Sequence, residues 1–387
     1  MTRCHLPLLI VALVPILDRA QAQDTLFNNK RVYLISDQPL PEDARRSERA
    51  RRMAEAFFNV TSTLADPSTL SFFPLDYTYS PDRNVQKKMF VLNADVKAPI
   101  ALGGKRWNTA GKAYHAIQII PRFRVRQFQD DESQGDQSLP IRTPSYMPGI
   151  KYFLTFKSMW EAEKSKRQYL SFYAYHHSNG QDGFEYNDDG SINFYNGNFS
   201  EDVVFEIGYN AVSHIPFRGV IEEKAQTQVK RKSMRFWSAN YEFHPRPLSS
   251  PAFRWRKIYA RRRLNLQYGH IFTPMVRDMV YSAKTDSYYT DNFRPVERRR
   301  FLLNVSYAVD AELNRIQGNK IHPVRFFDTR RLNAELSFYE KLMRTPYASV
   351  FAQAGYYGSD PYNIYFPQDL FFFRVGLAFG FFANDFF

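Results

Sequence analysis

Apolar and polar residues alternate with a period of two along most of the chain, beginning near residue 70. Such alternation predicts β-strands that present one apolar face and one polar face. Twelve segments show it, each about as long as a tilted strand that crosses a bilayer. They are residues 70–80, 89–99, 114–127, 149–156, 168–177, 202–212, 234–244, 262–272, 300–310, 331–339, 349–356 and 370–382. The pattern therefore predicts an all-β protein.

The two faces of these segments differ in a way that favours a barrel in a membrane. In the last segment Phe371, Phe373 and Leu377 alternate with Arg374 and Gly376. Parity does not say which face points inward, but strand number, strand length and the charged second face favour lipid outside and a polar lumen. We therefore predict an antiparallel transmembrane β-barrel over residues 69–387, with both termini on the periplasmic side. A soluble β-sandwich or soluble barrel is the alternative.

The first 68 residues do not follow this pattern. Arg3, an apolar run over residues 6–17 and the Ala-Gln-Ala sequence ending at Ala22 are typical of a secretory signal peptide over residues 1–22. The single cysteine, Cys4, lies in that signal, so we expect no disulfide, cysteine nucleophile or cysteine-zinc site in the mature chain. Residues 23–68 are expected to form an N-terminal periplasmic extension. Within it, residues 41–58 predict a short surface helix or a poorly ordered arm.

The amino-acid composition supports a membrane barrel and limits the classes of binding partner that we expect. The chain has 35 Phe and 25 Tyr among 387 residues, and barrels use aromatic residues on the lipid face and in girdles at both interfaces. No run approaches about 18 apolar residues, which excludes a helical membrane protein. The net charge is +13, but an exported protein rarely meets nucleic acid, so we expect no nucleic-acid partner. Arginines in the lumen, or near anionic lipid headgroups, explain the charge better.

The fifth segment carries the candidate chemistry. Counting by twos along it places Phe172, His176 and Ser178 on the same apolar face, whereas His177 points to the other face. A histidine beside a serine is half of a nucleophile-and-base arrangement. A polar boundary at the strand end would also explain the two side chains, so both readings stay open on the residues alone.

The stretch His176-His-Ser178-Asn179-Gly180 resembles the H-x-S-N-G motif of the bacterial outer membrane phospholipase A family. Further stretches are similar to that family in the same order, at residues 68–79, 138–148, 332–339, 350–358 and 374–387. The resemblance thus runs, with gaps, from about residue 68 to the C-terminus, while residues 198–330 resemble the family poorly. The family has a twelve-stranded barrel, which agrees with the number of alternating segments.

The resemblance implies a calcium-dependent phospholipase of the bacterial outer membrane. It implies cleavage of glycerophospholipid acyl esters, with A1 and A2 activity, and it leaves lysophospholipids open as further substrates. Ser178 would attack the ester carbonyl, and His176 would accept its proton and return it to the leaving alcohol. An asparagine would orient the imidazole. We expect Asn198, with Asn193 and Asn196 as alternatives, although Asn198 shares the lipid face only if a bulge interrupts the sixth strand.

Calcium would lie next to the serine, where Ser138 and Gln181 match two of the family's metal-site positions. The family has Arg in place of Gln181 and uses its backbone carbonyl. The active species of the family is a dimer, so we expect a homodimer among outer-membrane lipids, with membrane phospholipid as substrate. The competing hypothesis is a barrel without catalysis, either structural or a small channel. A lumen filled with arginine and glutamate side chains would weaken the channel version.

Overall fold

The computed structural model describes the barrel strands and several of their connections. The described residues are 54, 57–58, 60–62, 64, 66–79, 90–102, 112–128, 144–160, 166–179, 188–189, 200–213, 232–248, 259–273, 275–282, 287–295, 297–317, 320–342, 348–359 and 369–380.

These residues form nineteen β-strands, most of which belong to one sheet. The strands are β1 (Ser68–Tyr79), β2 (Phe90–Lys97), β3 (Ile100–Leu102), β4 (Ala113–Ile120), β5 (Arg122–Phe128), β6 (Ser145–Tyr146), β7 (Gly149–Phe156), β8 (Lys166–Asn179), β9 (Ser200–Ser213), β10 (Lys232–Phe243), β11 (Arg262–Thr273), β12 (Met275–Ser282), β13 (Ser287–Pro295), β14 (Arg299–Ala308), β15 (Asn314–Gln317), β16 (Lys320–Pro323), β17 (Leu332–Lys341), β18 (Ala348–Tyr357) and β19 (Leu370–Phe379).

Three barrel strands are interrupted at prolines, which lack the N–H that a ladder hydrogen bond needs. Pro99 separates β2 from β3, Pro121 separates β4 from β5, and Pro148 separates β6 from β7. The backbone at these breaks is still hydrogen-bonded to the neighbouring strand. Ala98 N donates to Pro121 O at 3.1 Å, and His176 N donates to Pro148 O at 2.9 Å. Each interrupted pair therefore counts as one barrel strand.

With those pairs joined, twelve strands run round a closed antiparallel barrel. Each barrel strand pairs with the next along the chain, and β1 pairs with β19 from Ser68↔Phe379 to Tyr79↔Phe371 to close the ring. The predicted fold class is therefore confirmed, and all twelve predicted segments contain a barrel strand. Two further hairpins, β12–β13 and β15–β16, are separate from the barrel sheet and were not expected from the sequence.

The outward face of the barrel is apolar, as the alternation predicts. Large apolar side chains that are exposed on this face include Ile150, Phe172, Ile207, Leu266, Leu336 and Phe373. An apolar belt of this extent around a barrel fits hydrocarbon rather than water. None of the helices in the described part of the chain is both long and apolar enough to cross a membrane.

We name the two ends of the barrel by the strands that finish there. The upper end is where β8, β10 and β14 finish, at Asn179, Phe243 and Ala308. The lower end is where β1 begins at Ser68 and β19 finishes at Phe379. The chain therefore enters and leaves the barrel at the lower end.

The lower half of the lumen is filled by the chain's own N-terminal residues. Helical residues Ala54, Phe57 and Val60, with Leu64 after them, are buried; we call 54–64 the plug segment. The Phe57 ring lies 4.9 Å from the Trp160 ring, edge to face. The plug segment packs into one apolar cluster with inward-facing residues from strands all round the ring: Tyr114, Ala116, Phe153, Tyr169, Val212, Met234, Phe236, Ile271, Leu302, Tyr339, Phe351 and Ala378.

The buried positions of Ala54 and Phe57 differ from the expected surface helix or poorly ordered arm over residues 41–58. Apart from these two and Phe58, that segment lies outside the described residues. The physical reason is burial, since covering one phenylalanine side chain stabilises the fold by about 1.5–3 kcal/mol. Gly269 faces the lumen and leaves room for the Phe236 ring of the same apolar cluster, because a Cβ at Gly269 would lie 2.1 Å from that ring.

An ion pair fixes the chain where it passes from the plug segment to β1. The Asp66 carboxylate lies 3.4 Å from Lys97 Nζ and accepts a hydrogen bond from Gln267 Nε2 at 2.9 Å. Burial would raise the pKa of Asp66, but the charges of Lys97 and Arg122 outweigh it and hold that pKa below its ordinary value. The plug segment is thus tied to β2 and β11 as well as packed against the lumen wall.

Candidate active site on the outward face

Strand β8 places the histidine and serine as the alternation predicts. Phe172 is exposed on the outward face, and His176 and Ser178 follow it on the same face with partial exposure. His177 is 3% exposed and points into the lumen. We call His176 and Ser178 the dyad. It sits at the upper end of the apolar belt, on the outer surface of the barrel.

The neighbouring strands define what flanks the dyad. Ser178 pairs with Tyr146 of β6 on one side and with Glu201 of β9 on the other. His176 pairs with Val203 of β9, and the exposed Tyr146 ring shares the outward face with the dyad. The surroundings of the serine are therefore partly apolar and open to the outside of the barrel.

The residue of β9 that pairs directly with His176 cannot orient its imidazole. Its direct partner there is Val203, whose side chain cannot accept a hydrogen bond from an imidazole. The register between β8 and β9 runs unbroken from Lys166↔Ser213 to Asn179↔Ser200, so the bulge considered for the sixth strand is absent from it. Asn193, Asn196 and Asn198 precede β9 and lie outside the described residues.

The expected calcium residues, Ser138 and Gln181, also lie outside the described residues. Within the described ranges, no group of three or more His, Asp, Glu or Cys side chains could hold a metal ion. A serine hydroxyl and a backbone carbonyl are oxygen donors, which is the donor type that calcium takes.

A buried polar network lies on the lumen side of the same strands, directly behind the dyad. His177 of β8 pairs with Asp202 of β9, and the Asp202 carboxylate lies 3.0 Å from His244 Nδ1. His244 Nε2 is 3.5 Å from the Glu242 carboxylate, which also accepts a hydrogen bond from Arg263 at 3.0 Å. We call Asp202, Glu242, His244 and Arg263 the lumen network.

The charges of this network are matched within it, as buried charges require. The hydroxyl of Tyr175 donates to Glu242 Oε2 at 3.1 Å, and Asn265 Nδ2 lies 3.4 Å from the same oxygen. Burial would lower the pKa of His244, but its bonds to Asp202 and Glu242 outweigh burial and raise that pKa above its ordinary value. The network therefore ties β8 to β9, β10 and β11 at the level of the dyad.

Sequence reasoning found the dyad and its face but missed this network. Asp202 and His244 are 42 positions apart in sequence, and only the closed barrel brings them together. The available signal was the polar residue at the end of each strand, namely Asp202, Glu242 and Arg263 on lumen-facing positions. That signal shows that polar residues face inward, but it does not show which of them meet.

No protein-family model and no curated protein sequence matches the chain. Among solved structures, the outer membrane phospholipase A of Escherichia coli is similar with a TM-score of 0.42 and 10% identity, over 87% of this chain and 99% of that one. The Salmonella typhi outer membrane phospholipase dimer with bound calcium gives 0.41 and 12%, over 83% and 91%. The translocator domain of the autotransporter NalP from Neisseria meningitidis gives 0.32 and 9%, over 88% and 98%.

The candidate site is therefore defined by its own geometry. It consists of a histidine and a serine two positions apart on the outward face of a twelve-stranded barrel, at the upper edge of its apolar belt.

Proposed function

We propose that this protein is a phospholipase of the bacterial outer membrane that hydrolyses acyl ester bonds of glycerophospholipids. The observation that carries the proposal is the placement of His176 and Ser178 on the lipid-facing surface of the barrel. The resemblance of residues 176–180 to the H-x-S-N-G motif supports the same reading. A soluble substrate would not need its nucleophile on this face, whereas a membrane lipid presents its ester at the edge of the apolar belt.

The proposed reaction is acyl transfer to serine followed by hydrolysis. Ser178 Oγ bonds to the ester carbonyl carbon while the His176 imidazole takes the hydroxyl proton. The bond to the glycerol oxygen then breaks, and His176 returns the proton to that oxygen, which releases a lysophospholipid. Water, deprotonated by His176, attacks the acyl-enzyme and releases the fatty acid and free Ser178.

The orienting residue and the metal belong to the proposal on the strength of the sequence resemblance. Asn198 would hold the His176 imidazole in one tautomer, with Asn193 and Asn196 as alternatives, because Val203 cannot. Ser138 and Gln181 would hold calcium through oxygen donors. When bound beside the serine, calcium polarises an ester carbonyl as a Lewis acid. Activity as a homodimer is part of the same proposal.

The plug segment weighs against the competing channel hypothesis. A channel needs an open water-filled path, but the lower lumen holds the buried side chains of Ala54, Phe57 and Val60 within an apolar cluster. Above it the Glu242 carboxylate is paired with His244 and Arg263 in the lumen network. A purely structural barrel without catalysis remains the outcome that the assay below distinguishes.

The test is release of fatty acid from phospholipid by the refolded full mature chain, in calcium and then in excess chelator. Ser178→Ala should lower turnover by about 1,000-fold or more. Ser306→Ala, a serine on the lumen face of β14, is the matched control and should retain wild-type turnover. Activity that survives Ser178→Ala, or a wild type that is silent in calcium, would reject the proposal.

For the histidine the chain offers its own control. His270 lies on the outward face of β11, in the same register as Leu266 and Tyr268, but at the lower end of the barrel. His176→Asn should lose activity as Ser178→Ala does, and His270→Asn should not. Equal losses in the two variants would show that a histidine on the lipid face matters only for the fold.

A further inference from the structure

An unusually exposed aromatic side chain projects from the upper end of the barrel. Phe327, in the connection between β16 and β17, is 92% exposed, whereas the other exposed large apolar side chains lie between 37% and 57%. Phe326 beside it is 45% exposed. Such exposure is costly in water, so what these rings contact needs an explanation.

The loop that carries the two rings is held firmly by one arginine. Arg331 is 1% exposed, and its guanidinium donates to four backbone carbonyls of the surrounding segments. These are Arg325 O at 2.9 Å, Ala308 O at 3.1 Å, Asp310 O at 2.5 Å and Val324 O at 3.0 Å. Hydrogen bonds from a charged donor are stronger than those between neutral groups. The hydrogen bonds of Arg331 therefore fix the loop that carries Phe326 and Phe327.

The pair is on the lipid side of the rim. Tyr307 lies on the outward face of β14, and its hydroxyl donates to the carbonyl oxygen of Phe326. The Phe326 ring packs edge-on against the Tyr307 ring at 6.0 Å, and the Phe327 ring lies 5.2 Å beyond it. Phe326 thus lies above the outward face of the barrel, at the level where the apolar belt ends.

Three arginines lie on the segments that carry or adjoin this pair. Arg262 is exposed on the outward face of β11, next to β14, where Val309 N donates to Arg262 O at 3.0 Å. Arg325 is exposed immediately before Phe326, and Arg330 lies 3.6 Å from Asp328. We call Arg262, Arg325, Phe326, Phe327 and Arg330 the rim patch.

The rim patch is basic because five arginines meet three carboxylates there, namely Arg261, Arg262, Arg325, Arg330 and Arg331 against Asp310, Glu312 and Asp328. Asp310 is engaged by the backbone amides of Arg261 and Arg262, at 2.8 Å and 3.0 Å, and Asp328 lies beside Arg330. Glu312 is exposed on the same connection. The rim patch therefore combines aromatic rings at membrane-interface depth with guanidinium groups, and guanidinium groups recognise phosphate.

We propose that the rim patch is a binding site for the phosphate-bearing headgroup of an anionic membrane lipid. Phe326 and Phe327 enter the boundary between acyl chains and headgroups, where amphipathic and aromatic side chains anchor membrane proteins. Arg262 and Arg325 contact the phosphate, and Arg331 holds the loop in place without touching the lipid. The charge of the patch favours an anionic lipid over a second copy of this chain, whose corresponding surface carries the same charge.

The test uses the full mature chain with Ser178→Ala, so that bound lipid is not hydrolysed whether or not the phospholipase proposal is correct. The protein is refolded in neutral detergent micelles with chelator, and bound lipid is counted by native mass spectrometry. The probes are phosphatidylglycerol and phosphatidylcholine with identical acyl chains, and inorganic phosphate. The wild-type patch should hold phosphatidylglycerol at least tenfold more tightly than phosphatidylcholine, and inorganic phosphate should not compete.

The variants separate charge from aromatic anchoring. Arg262→Gln with Arg325→Gln should remove the preference for phosphatidylglycerol, and Phe327→Ala should weaken both lipids. Arg298→Gln with Arg299→Gln is the control, because these arginines are 58% and 49% exposed beside Glu340 at the lower end of β14. Phe327 is too exposed to be needed for folding, so its variant keeps the test valid if a double variant fails to fold.

Three results would overturn the proposal. One is an unchanged lipid preference in the Arg262→Gln, Arg325→Gln variant. Another is an equal loss in the lower-end control, which would reduce the effect to overall charge. The third is a wild-type dimer that dissociates on Phe327→Ala without any change in bound lipid, which would assign the patch to a second copy of the chain.

Discussion

The two halves of the lumen differ in the side chains that fill them. The lower half is mainly apolar and is filled by the plug segment, whose Phe57 is fully buried against Trp160 and Tyr169. Its buried charges include the Glu297–Arg300 ion pair, at 2.7 Å. The upper half is mainly polar, and its buried carboxylates Asp202 and Glu242 are paired with His244 and Arg263. The side chains that the structure describes fill both halves and fix the strands to one another. The proposed chemistry lies on the opposite, outward face, where His176 and Ser178 are placed.

The largest effect on stability is expected from a substitution in the plug segment. Phe57→Ala leaves a cavity in the apolar half, and we expect a loss of about 3–5 kcal/mol in the free energy of unfolding, as for other buried aromatic residues. Urea unfolding of the refolded barrel, followed by fluorescence, measures it. Phe58→Ala in the same helix is the control and should cost clearly less, because Phe58 is only partly buried. Equal losses would mean that the helix does not pack as described.

A smaller loss in the free energy of unfolding is expected from a substitution in the upper half of the lumen. Glu242→Gln keeps the shape of the side chain but removes the charge that Arg263 and His244 face, which should cost about 1–3 kcal/mol. Glu340→Gln breaks a more exposed pair with Arg298 and Arg299 at the lower end and should cost about 1 kcal/mol or less. If Glu340→Gln costs as much as Glu242→Gln, the lumen network contributes no more than a surface pair.

The smallest expected effect is on how the free energy of unfolding depends on pH. Because Asp202 and Glu242 raise the pKa of His244 above its unfolded-state value, the charged imidazole contributes stability that is fully present below about pH 6.5. That contribution is lost as pH rises through the raised pKa of the folded state. The difference in unfolding free energy between wild type and His244→Gln should therefore shrink between pH 6 and pH 9. A difference that grows over this range would contradict the assigned bonds.

How far the sequence could predict the structure depends on whether a feature lies within one strand or needs the closed barrel. Alternation identified all twelve barrel strands and the outward position of His176 and Ser178, because each depends on side-chain parity within a single strand. The position of the plug segment could not be predicted in this way. Its helical pattern is visible in residues 41–58, but the cavity that buries Phe57 exists only after the barrel closes.

The candidate site shows the same limit. The sequence locates the dyad, but it does not show that Val203 is the residue paired with His176, since that depends on the register between β8 and β9. Nor does it show that Asp202 meets His244 behind the dyad. Contacts between distant strands require the register of the whole sheet, which no local pattern specifies.

Covalent trapping of the serine tests the central claim most directly. The refolded full mature chain is treated with an alkyl fluorophosphonate, which phosphonylates serines that a neighbouring base activates, and the adduct is located by peptide mass spectrometry. We expect a single adduct on Ser178 in the wild type and in His270→Asn, and no adduct in His176→Asn. Labelling of another serine, or labelling of Ser178 that is unchanged in His176→Asn, would contradict it.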